Sequence, residues 1–439
     1  MAVPTDYDNP AAGSLNVSVV MLPAADKANR IGSLFVNPGG PGASGIELVR
    51  NDSDAFPDAV RDRFDLVGFD PRGVNLSSPV RCVDNLDNHV ALDPSPDNAA
   101  ELKALVDDAK SFAAACGRRN GDALAHMSTE DVARDLDRLR DAVGDDKLTY
   151  LGFSWGTLLG ATYADLFPDR VRAMALDGAI DPALPLDRIR GDQALGFETA
   201  LRHFLEDCAA RPRCEIGGAG GPAAEFDRLM ARIDESPLPA IRARDRRTVG
   251  PGLAWAAVTG ALYSETGWSA LEGALDDAEH GDGTSLLAMS DPFNGRDEHG
   301  SYRNQIDAYA ANTCADYAAP DDVADYTKLA DRLRPVAPHF ADFAAYNDLV
   351  CAFWPVPSRG TPHAVSASGA PPIVVIGTTG DPATPYAWAV SLANELSSGV
   401  LVQHRGEGHT SFGTSLCVER VVEAYLVDLT VPRDGLSCN

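Results

Sequence analysis

Three residues in this chain are of the types, and in the order, that acyl transfer requires. Ser154 stands between two glycines in Gly152-Phe153-Ser154-Trp155-Gly156. A serine hydroxyl is a poor nucleophile until an imidazole takes its proton, and the imidazole needs a carboxylate to fix its tautomer and stabilise its charge. Asp381, in Gly380-Asp381-Pro382-Ala383-Thr384-Pro385, and His409, in Gly406-Glu407-Gly408-His409-Thr410, follow the serine in the order acid, then base. Asp177 and Glu407 are rival acids, although Glu407 is close to His409 in sequence for a natural partner. His404 is a rival base, placed at the end of a strand. The chain has nine histidines, so one alone would signify little. The weight falls on the joint occurrence of the motifs.

These side chains need elements that present them at one edge. The apolar run 148–151 suits a buried strand and 158–167 a helix packed on a sheet, which sets Ser154 at a sharp strand-to-helix turn. Candidate strands at 15–22, 31–36, 64–69 and 171–176 precede or follow it. The second runs into Asn37-Pro38-Gly39-Gly40-Pro41-Gly42, a loop able to expose amides. The third runs into Asp70-Pro71-Arg72-Gly73, whose Asp and Arg are read as braces between loops. Between 128 and 143 the spacing becomes helical, with Val132, Leu136, Leu139 and Val143 on one face, and Ser128 with Asp131 resembles a capping box. Strand and helix in alternation imply a parallel sheet.

From about residue 180 that rhythm is lost, with helical stretches at 193–205 and 254–262. It returns with strands at 372–377 and 399–403 and a final helix at 415–429. The expected architecture is α/β, a mostly parallel central sheet with helices on both faces and an inserted, mainly helical cap. The boundaries are 1–180 for the first part of the core, 181–365 for the cap and 366–439 for the second part, which carries Asp381 and His409. Asp381 then lies in the loop after one strand and His409 in the loop after the next.

Composition narrows the alternatives. At 439 residues, 45% apolar and 23% charged, the chain is long enough for a core with a large insertion and ordinary for a globular protein. A net charge of −27 argues against nucleic acid, whose phosphates would be repelled. No repeat is evident, and no apolar run of about 18 residues suits a membrane span. The eight cysteines contain no C-x-x-C pair, so metal binding is poorly supported. An even, scattered set fits four disulfides and an oxidising compartment. The opening Met1-Ala2-Val3-Pro4 shows no basic-then-apolar leader, so the reading is a mature-like form of a secreted protein.

Together the motifs at 37–42, 70–73, 152–157, 380–385 and 406–410, with the opening Val3-Pro4-Thr5-Asp6-Tyr7-Asp8-Asn9-Pro10, resemble the secreted tripeptidyl aminopeptidases of actinobacteria, relatives of the prolyl aminopeptidases. That resemblance spans almost the whole core and implies the α/β-hydrolase fold, with Gly-x-Ser-x-Gly as its nucleophile elbow. By position it makes Ser154 the nucleophile, Asp381 the acid and His409 the base, with the Gly40 and Trp155 amides forming the oxyanion hole. The pairing Cys82–Cys116, Cys208–Cys214, Cys314–Cys351 and Cys417–Cys438 rests on the resemblance and on short loops closing most easily. Prolyl aminopeptidases usually have His where Asn37 stands, and their relatives' secretion signal is missing here.

The resulting expectation is a monomeric serine exopeptidase that releases short peptides, tripeptides by resemblance, from free N-termini, without cofactor or metal. A helical cap closing one side of the cleft would favour cutting near a chain end. An esterase or amidase of small molecules is the alternative, and a noncatalytic binding module is a third. A free amine calls for a partly buried carboxylate. Asp316, beside the bridged Cys314, is the first candidate, and Glu198, on a largely apolar helix, is the second.

Overall fold

The computed structural model describes residues 1–218 and 220–439. Eight strands form the central sheet: β1 (Val19–Leu22), β2 (Gly32–Asn37), β3 (Phe64–Phe69), β4 (Leu148–Phe153), β5 (Val171–Asp177), β6 (Ile373–Gly380), β7 (Gly399–Glu407) and β8 (Leu436–Cys438). Their order across the sheet is β8-β7-β6-β5-β4-β2-β3-β1. Only β1 is antiparallel to its neighbour, and the other pairings are parallel. The fold is that of an α/β-hydrolase.

The inner strands are buried on both faces, which explains their nearly unbroken apolar runs. Alternate residues divide between two cores. Phe35, Tyr150, Met174, Leu176 and Val375 face the helices Thr129–Ala142, Trp155–Leu166 and Tyr386–Glu395. Leu34, Val36, Leu151, Ala175, Val374 and Ile376 face Gly45–Asn51, Asp58–Arg63 and Leu416–Asp428. The 15–22 run, expected as one strand, is split. Ser14–Asn16 pairs with Ala2–Pro4 outside the sheet, and β1 starts only at Val19. The cause lies at the junction, where buried Val17 turns inward and the Ser18 amide donates to Ser77 Oγ at 2.8 Å.

Between β5 and β6 the chain leaves the sheet and folds mainly as helices, with a core of their own built around Phe197, Phe204, Phe226, Trp255, Leu271 and Phe340. Ala383, from the loop after β6, joins that core. A second excursion, between β3 and β4, holds the long helix Ala99–Asn120, which the sequence reading passed over. Its Phe112 and Cys116 pack with Ala310, Ala311 and Ala315 of helix Gln305–Asp316. The four disulfides are those expected: Cys82–Cys116, Cys208–Cys214, Cys314–Cys351 and Cys417–Cys438. Among the described residues no helix is long and apolar enough to cross a membrane.

The Asp70-Pro71-Arg72-Gly73 turn is a brace, as its composition suggested. The Arg72 guanidinium, fully buried, grips Asp135 through two bonds of 2.7 Å and donates to the carbonyls of Pro4, Thr5 and His126. Asp70 accepts from Ser44 Oγ and from the amides of Ile46 and Leu76. One short motif thereby fixes the N-terminal segment, helix Thr129–Ala142 and the loop after β2.

Candidate active site

At the end of β4 the backbone turns into helix Trp155–Leu166 through Ser154, held at φ 55° and ψ −125°. A non-glycine residue there is strained, and such strain persists only where the surroundings impose it. Both flanking glycines are required by contact. A Cβ at position 152 would lie 2.4 Å from the Gly156 carbonyl oxygen, and one at position 156 would lie 2.7 Å from that of Asn37. The turn is tied down by Tyr150 Oη donating to the Gly156 carbonyl at 2.8 Å and by the Ser154 amide donating to the Asp177 carbonyl at 3.0 Å. Trp155 is the first residue of the helix, so its amide has no carbonyl partner within it.

Asp381 follows β6 directly, and its carboxylate is completely enclosed. It accepts from the amides of Ala383 (2.9 Å) and Thr384 (2.8 Å), from Thr384 Oγ1 (2.8 Å) and from His409 Nδ1 (2.9 Å). His409, in the loop after β7, has its amide on the Tyr263 carbonyl at 2.7 Å and its ring edge-on to the Tyr263 ring at 5.3 Å. Burial alone would lower the His409 pKa. The adjacent Asp381 charge and hydrogen bond outweigh it, and the imidazole is held above its ordinary 6.5.

The rival residues have other partners. Asp177 accepts from the amides of Ser411 (2.9 Å) and Phe412 (2.7 Å), and burial pushes its carboxyl up to about 6. It supports the loop carrying His409. Glu407 pairs with His203 at 3.1 Å, and His404 lies along β7 with Nδ1 3.4 Å from Thr378 Oγ1.

The Gly-rich loop after β2 lies against the elbow. A Cβ on Gly39, at φ 92°, would fall 2.4 Å from the Phe153 carbonyl oxygen and 2.8 Å from Ser154 Cβ. The Asn37 side chain accepts from the Gly39 amide at 2.9 Å and holds the loop in place. Among the described residues the Gly40 amide has no acceptor. Gly40, Ser154, Trp155 and His409 all line one cavity of about 680 Å³, a size common for small-ligand sites. Its walls come from both excursions: Leu105, Ala109 and Phe112 from the first, Phe197, Tyr309 and Phe340 from the second.

The chain has relatives among known proteins. Residues 337–438 match the family described as TAP-like protein. Over 455 residues the chain is 42% identical to the serine protease Hip1 of Mycobacterium tuberculosis, all of it aligning with 86% of that protein. It is 32% identical over 453 residues to a tripeptidyl aminopeptidase of Streptomyces lividans, again over its full length and 82% of the relative's. The chain belongs to the TAP-like family of α/β-hydrolases. A 39% identical relative, carboxylesterase B of Mycobacterium tuberculosis, aligns over the whole chain and 85% of its own length. Like its TAP-like relatives, the protein is a serine hydrolase.

Of the two carboxylates put forward for a substrate amine, one reaches the cavity. Asp316 lines it, accepting from Thr129 N (2.7 Å) and Thr129 Oγ1 (2.5 Å), and burial pushes its carboxyl up to about 7. Glu198 does not. Both its oxygens are taken by His339, at 3.0 Å from the amide and 2.7 Å from Nδ1, and the ring's other nitrogen meets Asp227 at 2.9 Å. Helical spacing placed Glu198 among apolar neighbours but did not show that His339, 141 positions away, would occupy it. The sequence reading also missed Thr384, which donates to Asp381 Oδ2 and lies 3.2 Å from His409 Nδ1. Its place three residues after the acid, in a Pro-flanked turn, was the available signal.

Proposed function

We propose that the protein is a serine peptidase that removes short peptides, tripeptides among them, from free N-termini. Ser154 Oγ attacks the scissile carbonyl while His409 accepts its proton, and Asp381 holds His409 Nδ1–H and stabilises the imidazolium. The Gly40 and Trp155 amides receive the negative charge that develops on the carbonyl oxygen. His409 then returns the proton to the leaving amine, and water releases the acyl group by the reverse steps. Asp316 pairs with the substrate ammonium. The protein acts as a monomer outside the cell, in keeping with its four disulfides.

One observation carries this reading: Ser154, His409 and the free Gly40 amide line one cavity whose walls are largely helical. A bounded cavity accepts a short acyl segment and not a continuous chain. The names of two relatives, a serine protease and a tripeptidyl aminopeptidase, point the same way. The second reading, hydrolysis of small esters or amides, is favoured by the predominance of apolar residues along the walls and by the relative named carboxylesterase B. Release of p-nitroaniline from a tripeptide substrate separates the two. The peptidase reading requires turnover with a free amine and little or none after N-acetylation. Turnover of small esters alone supports the second.

A further inference from the structure

One polar cluster in the cavity wall is left over by the triad, the amide pair and Asp316. Arg190, on helix Leu186–Ala210, is largely buried and lies against Asp348 with two guanidinium nitrogens, Nη2 at 2.9 Å from Oδ1. Its Nη1 donates to Gln193 Oε1 at 2.6 Å, and its Nη2 also donates to Tyr309 Oη. A guanidinium has five N–H donors. Among the described residues these contacts use four, and one Nη1 hydrogen is left. Tyr309 is in the corresponding position. Its oxygen already accepts from Arg190 and from Asn347 Nδ2 (2.9 Å), which fills both lone pairs. Among the described residues its own hydrogen has only a long contact, 3.4 Å, to Asp348 Oδ1. Arg190, Gln193, Tyr309 and Asn347 all line the cavity that holds Ser154.

Position and charge narrow what these donors meet. Helix Gln305–Asp316 lies on the Gly-rich loop, since a Cβ at Gly42 would be 3.3 Å from the Tyr309 amide nitrogen. On the other side Gln193 Nε2 donates to the Ala383 carbonyl at 2.8 Å, inside the loop of Asp381. The cluster therefore stands between the loop that carries Gly40 and the loop that carries the acid. Asp348 already neutralises Arg190, so the cluster offers directed N–H and O–H donors without net charge. That suits a neutral acceptor better than a carboxylate, whose burial there would leave an uncompensated charge.

We infer that Arg190 Nη1–H and Tyr309 Oη–H bind a backbone carbonyl of the acyl segment of the substrate, making the reward for a longer acyl segment. The inference rests on the peptidase reading. The test compares kcat/KM for free-amine p-nitroanilides whose acyl part is one residue or three, in the parent and in Tyr309→Phe. Titration with a fluorophosphonate counts competent sites. The ratio of tripeptide to single-residue kcat/KM is expected to fall about tenfold in the variant, mainly through KM, as for the loss of one hydrogen bond. Should Tyr309→Phe fail to take up the fluorophosphonate, Arg190→Lys, which keeps the charge and loses the fork, carries the same expectation. A ratio within twofold of the parent's in a titratable variant overturns the inference and leaves the peptidase reading standing. A parent inactive on every peptide overturns both.

Discussion

His409 Nδ1 lies 2.9 Å from Asp381 Oδ2, and the same carboxylate is held by two amides and a hydroxyl of its own loop. The acid is thus fixed before the histidine meets it, and the imidazole has one tautomer available, with Nδ1 protonated and Nε2 free to accept. Asp381→Asn can donate to Nδ1 and so favours the wrong tautomer. It is expected to lower kcat on the order of ten thousand-fold while leaving the fold intact. Steady-state kinetics on a p-nitroanilide check it, and an undiminished rate would move the role to another carboxylate.

The pH dependence follows from two groups. His409 must be neutral to accept a proton, and Asp381 holds its pKa above 6.5, so the acid limb for a small ester should lie above that value. Asp316, pushed up to about 7 by burial, pairs with an ammonium only when ionised. The advantage of a free-amine peptide over the ester should therefore shrink as pH falls through about 7. It should shrink again above about 8, where the substrate amine loses its own proton. Parallel pH profiles of kcat/KM for the two substrates test this, and profiles of identical shape would remove Asp316 from the reading.

Gly39→Ala probes the loop proposed to hold the oxyanion. The added Cβ meets Phe153 O and Ser154 Cβ at distances no real methyl tolerates, so the loop must move away from the elbow. Displacing the Gly40 amide should cost on the order of a hundredfold in kcat, as for loss of one oxyanion donor. Circular dichroism and melting temperature separate this from unfolding.

Much of the candidate site's geometry was legible in the sequence because each part is local. Strained Ser154, its flanking glycines and the strand-end Asp381 and His409 lie in short motifs whose backbone needs are written in Gly, Pro and apolar runs. The fold followed from strand–helix alternation for the same reason. What escaped was set by contacts distant in sequence. The wall supplied by helix Ala99–Asn120 depends on packing against Ala310 and Ala311, the occupation of Glu198 on His339, and the Arg190 cluster on Asp348, 158 positions away. The interrupted first strand belongs with these, since Ser77 breaks it from outside.

Arg72→Met should destabilise the fold by about 3–5 kcal/mol, because Asp135 would remain buried with only Tyr7 Oη, at 2.7 Å, as a side-chain donor. Urea unfolding of both proteins measures the difference. A loss below about 1 kcal/mol would show that the guanidinium braces nothing essential.

The proposed mechanism depends most on Ser154. Ser154→Ala should reduce release of p-nitroaniline from a free-amine tripeptide on the order of a million-fold, the remainder coming from the oxyanion hole and binding alone. Mass mapping of the parent after fluorophosphonate treatment should place the adduct on Ser154 and nowhere in the variant. Turnover by Ser154→Ala within tenfold of the parent would contradict the mechanism.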